Sequence, residues 1–519
     1  MSSSEGSFNA YDEEKGPAVD AVKVTEAKDF KRVESGPLAK LWDIVLWLDE
    51  KFGVEVRGVE RVPESERHHY SIMDAGWLWM SANMTISTVS LGTLSNSIYG
   101  MGLTDAALVI VFFNLLCTLP VGLFSTWGMQ SGLRQMMIGR FSFGWLWIYF
   151  PVLLNCLACL GWSCINSIAG AQALAAVAGH DSPHKLPVAV GIVIIAIVTM
   201  FVALFGYRYV HLFERYASIP VFVILCILLG QAAPHVTASI SPPGTATAAS
   251  CLSYGATVAG FALGWTSLAA DYTVNFPADS SKVKVFFYTY TGLNLPLIFC
   301  EVIGAVLMHT FEKKPSWEQA YNVDHFGGLL GAPLTGPMGG FGKFLLVILA
   351  MSIVANNIPN MYSFALTFQT LGSQAQKIPR MFLVILGTGI YIAVAIPGAS
   401  SFEDFLDLML VILSYWLAIY SCILIEEFFI FRQGSFTKGF DLERYNDLSA
   451  LPIGLAAFGA TAIGACGAVL GMAQVWWIGP IAKAIEPKFG ADIGFLLSFG
   501  FSGVAYPPLR YLERKYFGK

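Results

Sequence analysis

The chain has 519 residues, 55% of them hydrophobic and only 13% charged, with a mean hydropathy of +0.60. Soluble domains carry charge nearer ~25%, so this composition excludes an ordinary soluble enzyme. The net charge of −5 comes with no basic patch, which argues against a nucleic-acid partner.

Charged residues crowd into positions 1–70 and then thin out between long apolar runs. Residues 1–36 are polar, short of aromatics and without an apolar signal core, so a disordered cytoplasmic tail is expected and the first span acts as its own insertion signal. Residues 37–70 form a cytoplasmic pre-membrane segment. Within it Leu38, Leu41, Trp42, Val45, Leu48 and Phe52 recur at helical spacing. That pattern predicts an amphipathic helix, lying on the inner membrane surface or docked against the bundle.

A hydrocarbon core of ~30 Å needs ~20 apolar residues per helix. Twelve segments qualify, near 72–98, 104–127, 143–177, 187–206, 211–231, 252–272, 285–309, 341–370, 380–397, 405–431, 451–475 and 490–508. The third and eighth are long enough to tilt or to continue beyond the membrane. With the N-terminus inside, fifteen Lys and Arg fall in the inner loops and C-terminal tail and six in the outer loops. The positive-inside rule therefore puts both termini in the cytoplasm. The nine Cys are scattered, most of them within apolar runs; with no paired CxxC they read as small packed hydrophobes, not a zinc site or disulfide framework.

Polar groups inside a bilayer are costly unless satisfied, so their positions carry information. The first segment holds Ser81, Asn83, Thr85, Ser87, Thr88 and Ser90 after Trp77 and Trp79. This fits either a helix that unwinds to expose carbonyls to a ligand or hydroxyl-rich helix packing. In the third segment Trp162 and Asn166 are four apart and share a face. An aromatic plate beside an amide suits a planar base: a ring to stack on, and a group that donates and accepts. In the sixth, Gly260 and Gly264 precede Trp265, Thr266 and Ser267; they permit close packing or a helix break matching that of the first segment.

The eighth segment reads Ala355-Asn356-Asn357-Ile358-Pro359-Asn360. Asn356 and Asn360 share a face, Asn357 points about 100° away, and Pro359 cannot donate to the Ala355 carbonyl, marking a helix break. Three Asn in five residues point to binding beyond simple interhelix bonding. Glu301, in the seventh segment, is the one carboxylate well inside a span and away from other charges. It is a proton-relay candidate or a partner for a polar neighbour. Asp74 and Asp271 lie near the interface, as caps or gates. All eight His fall in loops or near helix ends, so no metal site or catalytic dyad, and hence no enzyme, is expected.

Taken together, these motifs resemble the fungal purine-cytosine permeases of the nucleobase-cation-symport-1 family. The resemblance rests on Gly58-Val59-Glu60-Arg61-Val62-Pro63-Glu64, Gly132-Leu133-Arg134-Gln135-Met136, Gly161-Trp162 with Asn166, Asp271-Tyr272-Thr273-Val274-Asn275-Phe276-Pro277 and the Asn-Asn-Ile-Pro-Asn run. It covers the chain from about residue 37 onward. It implies an all-α polytopic membrane protein of 12 transmembrane helices with a leucine-transporter-like 5+5 inverted repeat. The core would be 71–431 (repeats about 71–231 and 252–431), followed by two accessory helices over 451–508 and a cytoplasmic tail, 509–519. It also implies plasma-membrane import of cytosine, adenine, guanine or hypoxanthine with protons and no other cofactor; close relatives carry vitamin B6. The base would lie between Trp162 and Trp265, with Asn166 and Asn360 reading its edge and Ser87 closing the site. Asn356 and Asn357 would also line it, along with Asn83, Gly264 and Thr266. Sodium-coupled relatives carry hydroxyl residues on the eighth helix about a turn before the binding Asn. Here Val354 and Ala355 stand there and offer no side-chain oxygen to a hard cation, so proton coupling is expected.

Overall fold

The computed structural model describes residues 37–52, 58–67, 71–179, 184–205 and 207–518; the tail 1–36 lies outside the described residues. Helix α1 (Pro37–Phe52) forms where its spacing predicts, with Trp42 and Val45 buried. Trp42 Nε1 donates to the carbonyl of Lys377 at 2.9 Å, so this face docks on the bundle. The segment after it is also tied down: Val62 N donates to Gly132 O at 2.9 Å and Arg67 Nη1 to Met129 O at 2.8 Å. Gly132 has φ +70°, and a Cβ there would sit 2.5 Å from Val62 O. Glycine is the residue that meets both demands.

The first apolar segment is two helices, α2 (Met73–Asn83) and α3 (Ile86–Ser97), parted by Met84 and Thr85. Both of its readings are seen: the helix is parted, and in α3 Ser90 Oγ donates to its own backbone at Ser87 O, 2.7 Å away. Helices α4 (Leu103–Cys117) and α5 (Leu119–Ser131) run on nearly as one rod. The third segment, expected as one helix over 143–177, is divided. Gly144 (φ +71°) bends α6 (Gln135–Trp147), and α7 begins at Tyr149 and ends at Ala176. Helices α8 (Val188–Phe205) and α9 (Tyr207–Ala232) follow. Helix α10 (Thr245–Gly264) stops at the predicted glycine and gives way to short 3-10 turns, Trp265–Ser267 and Ala269–Tyr272.

Helix α11 (Lys282–Met308) leads to α12 (Pro315–Gln369), which is interrupted at His325 (φ +51°) and Gly339 (φ +53°). Its last stretch, after Gly339, matches the eighth segment. Pro359 does not break it, because helical geometry continues through Pro359 to Gln369. One missing N–H removes one intrahelical bond, which packing in a bundle tolerates. The chain closes with α13 (Ser373–Gln376), α14 (Arg380–Gly398), α15 (Phe402–Glu426, extended by a π-helical turn to Phe431), α16 (Phe436–Gly439), α17 (Leu455–Gly471), α18 (Pro480–Ile485) and α19 (Gly494–Phe517). A small antiparallel hairpin pairs Ala473–Gln474 with Trp477–Ile478.

Seven helical stretches among the described residues are long and apolar enough to cross a membrane, and one of them, Arg380–Phe431, holds both α14 and α15. Helices α8 and α17 are shorter apolar rods, and the first segment falls below that length because it is broken. Large apolar side chains such as Leu108, Phe112, Leu157, Phe222, Phe287 and Leu386 are exposed, as a surface facing lipid requires.

Inside, α12 packs along α7, α3 along α11, α10 along α15 and α17 along α19. Glycines set the closest approaches: a Cβ on Gly92 would lie 1.8 Å from Glu301 O, and one on Gly260 1.8 Å from Leu410 O. Gly260 is thus a packing glycine. The last helices are pinned to α15 by a buried ion cluster in which Arg510 Nε meets Glu427 Oε2 at 3.0 Å and Tyr506 Oη donates to the same oxygen at 2.9 Å. Glu513 pairs with Arg510 and accepts from Gly454 N at 2.7 Å, joining α19 to the start of α17.

Candidate functional site

The two breaks bring the predicted polar residues together. At the end of α2, Asn83 Nδ2 donates to Trp79 O at 2.9 Å and its Oδ1 accepts from Trp265 Nε1 at 3.0 Å. Trp79 and Trp265 also meet edge to face, with ring centroids 5.2 Å apart. Such a contact fixes ring orientation and adds about 0.5–1.5 kcal/mol beyond burial. Trp265 is therefore held rigidly, one residue after the end of α10.

Gly264 lies beside the other aromatic plate, since a Cβ built on it would find Trp162 Nε1 at 3.6 Å. Trp162 packs on Phe261, centroids 4.8 Å apart. The corner at Gly264 and the Trp162 ring thus adjoin. Phe261 carried no signal of its own in the sequence; only its place one turn before Gly264 points to it.

The amide cluster joins α7, α12 and the first break. Asn166 Nδ2 donates to Asn356 Oδ1 at 2.7 Å and Asn357 Oδ1 at 3.2 Å. Asn356 Nδ2 donates to the carbonyl of Ala82, and Asn360 Nδ2 donates to Asn356 O at 3.0 Å. Asn356 is consequently the hub, its donor spent on the broken helix and its acceptor on two neighbours. Two buried amide atoms in the cluster, Asn166 Oδ1 and Asn357 Nδ2, have no hydrogen-bond partner among the described residues. One is an acceptor and the other a donor, and the two side chains touch. Leaving either unmade costs about 1–3 kcal/mol, which a ligand presenting a matching donor and acceptor would recover.

The remaining candidates fall at the edge or outside. Ser87 sits in the first turn of α3 with Oγ 2.9 Å from Thr85 Oγ1, and Ser352 Oγ accepts from Ile86 N at 3.3 Å, bridging α12 to the break. Thr266 Oγ1 donates to Leu263 O at 2.6 Å and is fully buried, so its hydroxyl closes the end of α10. Val354 packs with Ile358, Val198 and Val202 against α8, away from the break. Glu301 is not in the cluster: it lies between α3, α4 and α11, its Oε2 accepting from Asn114 Nδ2 at 2.7 Å and its Oε1 without a partner.

Below the cluster the motifs 132–136 and 271–277 knot together. Asp271 Oδ1 accepts from Gln135 N at 2.7 Å, capping α6, and Arg134 Nη1 donates to Asp271 O at 2.7 Å. Tyr272 Oη donates to Pro359 O at 3.2 Å, joining this knot to the asparagine turn. Of the two roles expected of it, cap or gate near the interface, Asp271 fills the first, buried at the start of α6.

Residues 61–499 match the sequence profile of a family described as "Permease for cytosine/purines, uracil, thiamine, allantoin". The chain belongs to that family. It is 44% identical over 475 residues to the purine-cytosine permease fcyB of Emericella nidulans, covering 91% of each chain. It is 37% identical over 493 residues to the purine-cytosine permease FCY2 of Saccharomyces cerevisiae, covering 94% of this chain and 91% of the relative. Among solved structures it is similar to Mhp1, a nucleobase-cation-symport-1 family transporter, in a closed conformation with bromovinylhydantoin bound. The TM-score is 0.65 at 14% identity, over 88% of this chain and 95% of that one. The chain is accordingly an all-helical membrane transporter of the permease family, with the fold of those carriers.

Proposed function

We propose that the chain imports cytosine and purine bases together with protons, by alternating access, across the plasma membrane. In this reading it has twelve spans, ten of them in a 5+5 inverted repeat about the two broken helices, with both termini in the cytoplasm. The observation that carries the substrate class is the unpaired donor and acceptor of Asn357 and Asn166 beside two tryptophans. Cytosine and adenine each present an amino donor next to a ring-nitrogen acceptor on one flat edge, which is the complement of that pair. Trp162 and Trp265 supply stacking faces, and Asn360 and Ser87 line the rest.

Asn356 and Asn83, whose polar atoms are spent within the protein, position the site. Proton coupling rests on sequence position alone: Val354 and Ala355, which offer no side-chain oxygen to a hard cation, stand where sodium-coupled relatives carry hydroxyl residues. The purine-cytosine relatives, at 44% and 37% identity, support nucleobases over the B6 vitamers; a vitamin B6 transporter, TPN1 of Saccharomyces cerevisiae, is 31% identical. Uptake of labelled cytosine, challenged with unlabelled adenine, guanine, hypoxanthine and pyridoxine at two external pH values, tests all of this. The bases should compete and uptake should rise with acidity. Competition by pyridoxine alone would move the substrate to vitamin B6, and sodium-dependent, pH-independent uptake would end the proton reading.

A further inference from the structure

At the end of the bundle opposite the Asp271 knot, three helices distant in sequence meet through one carboxylate oxygen. Asp407 Oδ1, on the first turns of α15, accepts from Tyr99 Oη at 2.8 Å and from Thr257 Oγ1 at 2.8 Å. Tyr99 and Thr257 are also 2.8 Å from each other. Tyr99 stands just past α3 and Thr257 is inside α10, so the ties reach the outer halves of both broken helices. One turn further in, α10 and α15 make the Gly260–Leu410 contact. Tyr99 and Asp407 are half-buried, whereas Thr257 is fully buried. The triad therefore lies at the mouth of the bundle, on the side that the Lys and Arg bias assigns to the outside.

We propose that Asp407 is a positioning residue for transport, the latch that closes the outer mouth by holding α3 and α10 against α15. The inference rests on the alternating-access reading. A single acceptor gathering two hydroxyls from the two elements that must move is a compact way to hold a closed state. It can also be undone, because hydrogen bonds inside membranes contribute modestly. It further explains why an acid stands in this apolar helix without a basic partner among the described residues: hydroxyls satisfy it without locking it.

The test is initial-rate uptake of labelled cytosine by Asp407→Ala, Asp407→Asn, Tyr99→Phe and Thr257→Val in whole cells, normalised to surface protein. Losing the latch favours the outward-open form. Asp407→Ala should therefore lower maximal uptake about tenfold while the half-saturation concentration stays level or falls. Asp407→Asn keeps the accepting oxygen and should restore most of the rate. Tyr99→Phe combined with Asp407→Ala should do no more than Asp407→Ala alone. Wild-type kinetics for Asp407→Ala, a joint loss of rate and affinity that Asn does not rescue, or additive double mutants would each overturn the latch. Absence of uptake by the wild type would instead overturn the transport reading, and the latch with it.

Discussion

Replacing Asn356 by Ala removes one side chain and breaks three hydrogen bonds at once: its donation to Ala82 O, and its acceptance from Asn166 and from Asn360, the latter two at 2.7 and 3.3 Å. Asn166 Nδ2 keeps its contact to Asn357 at 3.2 Å and Asn360 Nδ2 its bond to Asn356 O at 3.0 Å, so neither is stranded. Ala82 O loses its side-chain donor at a point where the helix is already broken. With about 0.6–1.5 kcal/mol for each bond, the total is roughly 2–4.5 kcal/mol. At 1.4 kcal/mol per decade, if the whole cost falls on the ordering of the site for its substrate, that is a loss of roughly 30- to 1,500-fold in affinity. Titrating unlabelled cytosine against labelled cytosine on surface-normalised cells measures it. Asn356→Asp keeps the acceptor but aims a carboxylate at Ala82 O, and should be at least as damaging. If Asn356→Ala bound and carried cytosine as the wild type does, the hub would have no part in shaping the site.

Trp162→Ala should raise the half-saturation concentration for every planar substrate alike, by about 5- to 150-fold, since base–aromatic stacking contributes about 1–3 kcal/mol; Trp162→Phe should recover much of it. Gly264→Ala should transport normally, because its Cβ would rest at 3.6 Å from Trp162 Nε1, an ordinary contact, whereas Gly264→Leu should fill the space beside the ring and abolish competition by cytosine. Arg510→Ala strips a buried partner from Glu427 and Glu513, although Arg432 still pairs with Glu427 at 2.8 Å. It should cost about 3 kcal/mol, read as a lower melting temperature of the purified protein with cytosine affinity unchanged.

Density of polar residues marked the first helix, because Ser81 to Ser90 are too costly in lipid to lie idle, but left a break and close packing as alternatives. Gly264 followed by Trp265 did the same for the sixth. The asparagine turn was legible as a candidate cluster but not in its division of labour. Whether Asn356 faces a ligand or the Ala82 carbonyl depends on where the first helix unwinds, which no spacing within α12 reports. Pro359 misled for the converse reason, since proline's missing N–H is local while the packing that keeps α12 straight there is not. Asp407 escaped notice because it follows Glu403 and Asp404 and reads as part of an interfacial acidic cluster. Its partners lie 308 and 150 residues away. Glu301 was singled out for its isolation, and the structure gives it an amide partner, Asn114, outside the asparagine cluster.

The most direct test of nucleobase transport is uptake of labelled cytosine into vesicles reconstituted with the purified protein, under an inward proton gradient. The account predicts accumulation above that of empty vesicles, abolished by excess adenine and by Asn360→Ala in a protein that still folds and inserts. Vesicles that hold folded protein yet take up no more cytosine than empty ones would contradict it.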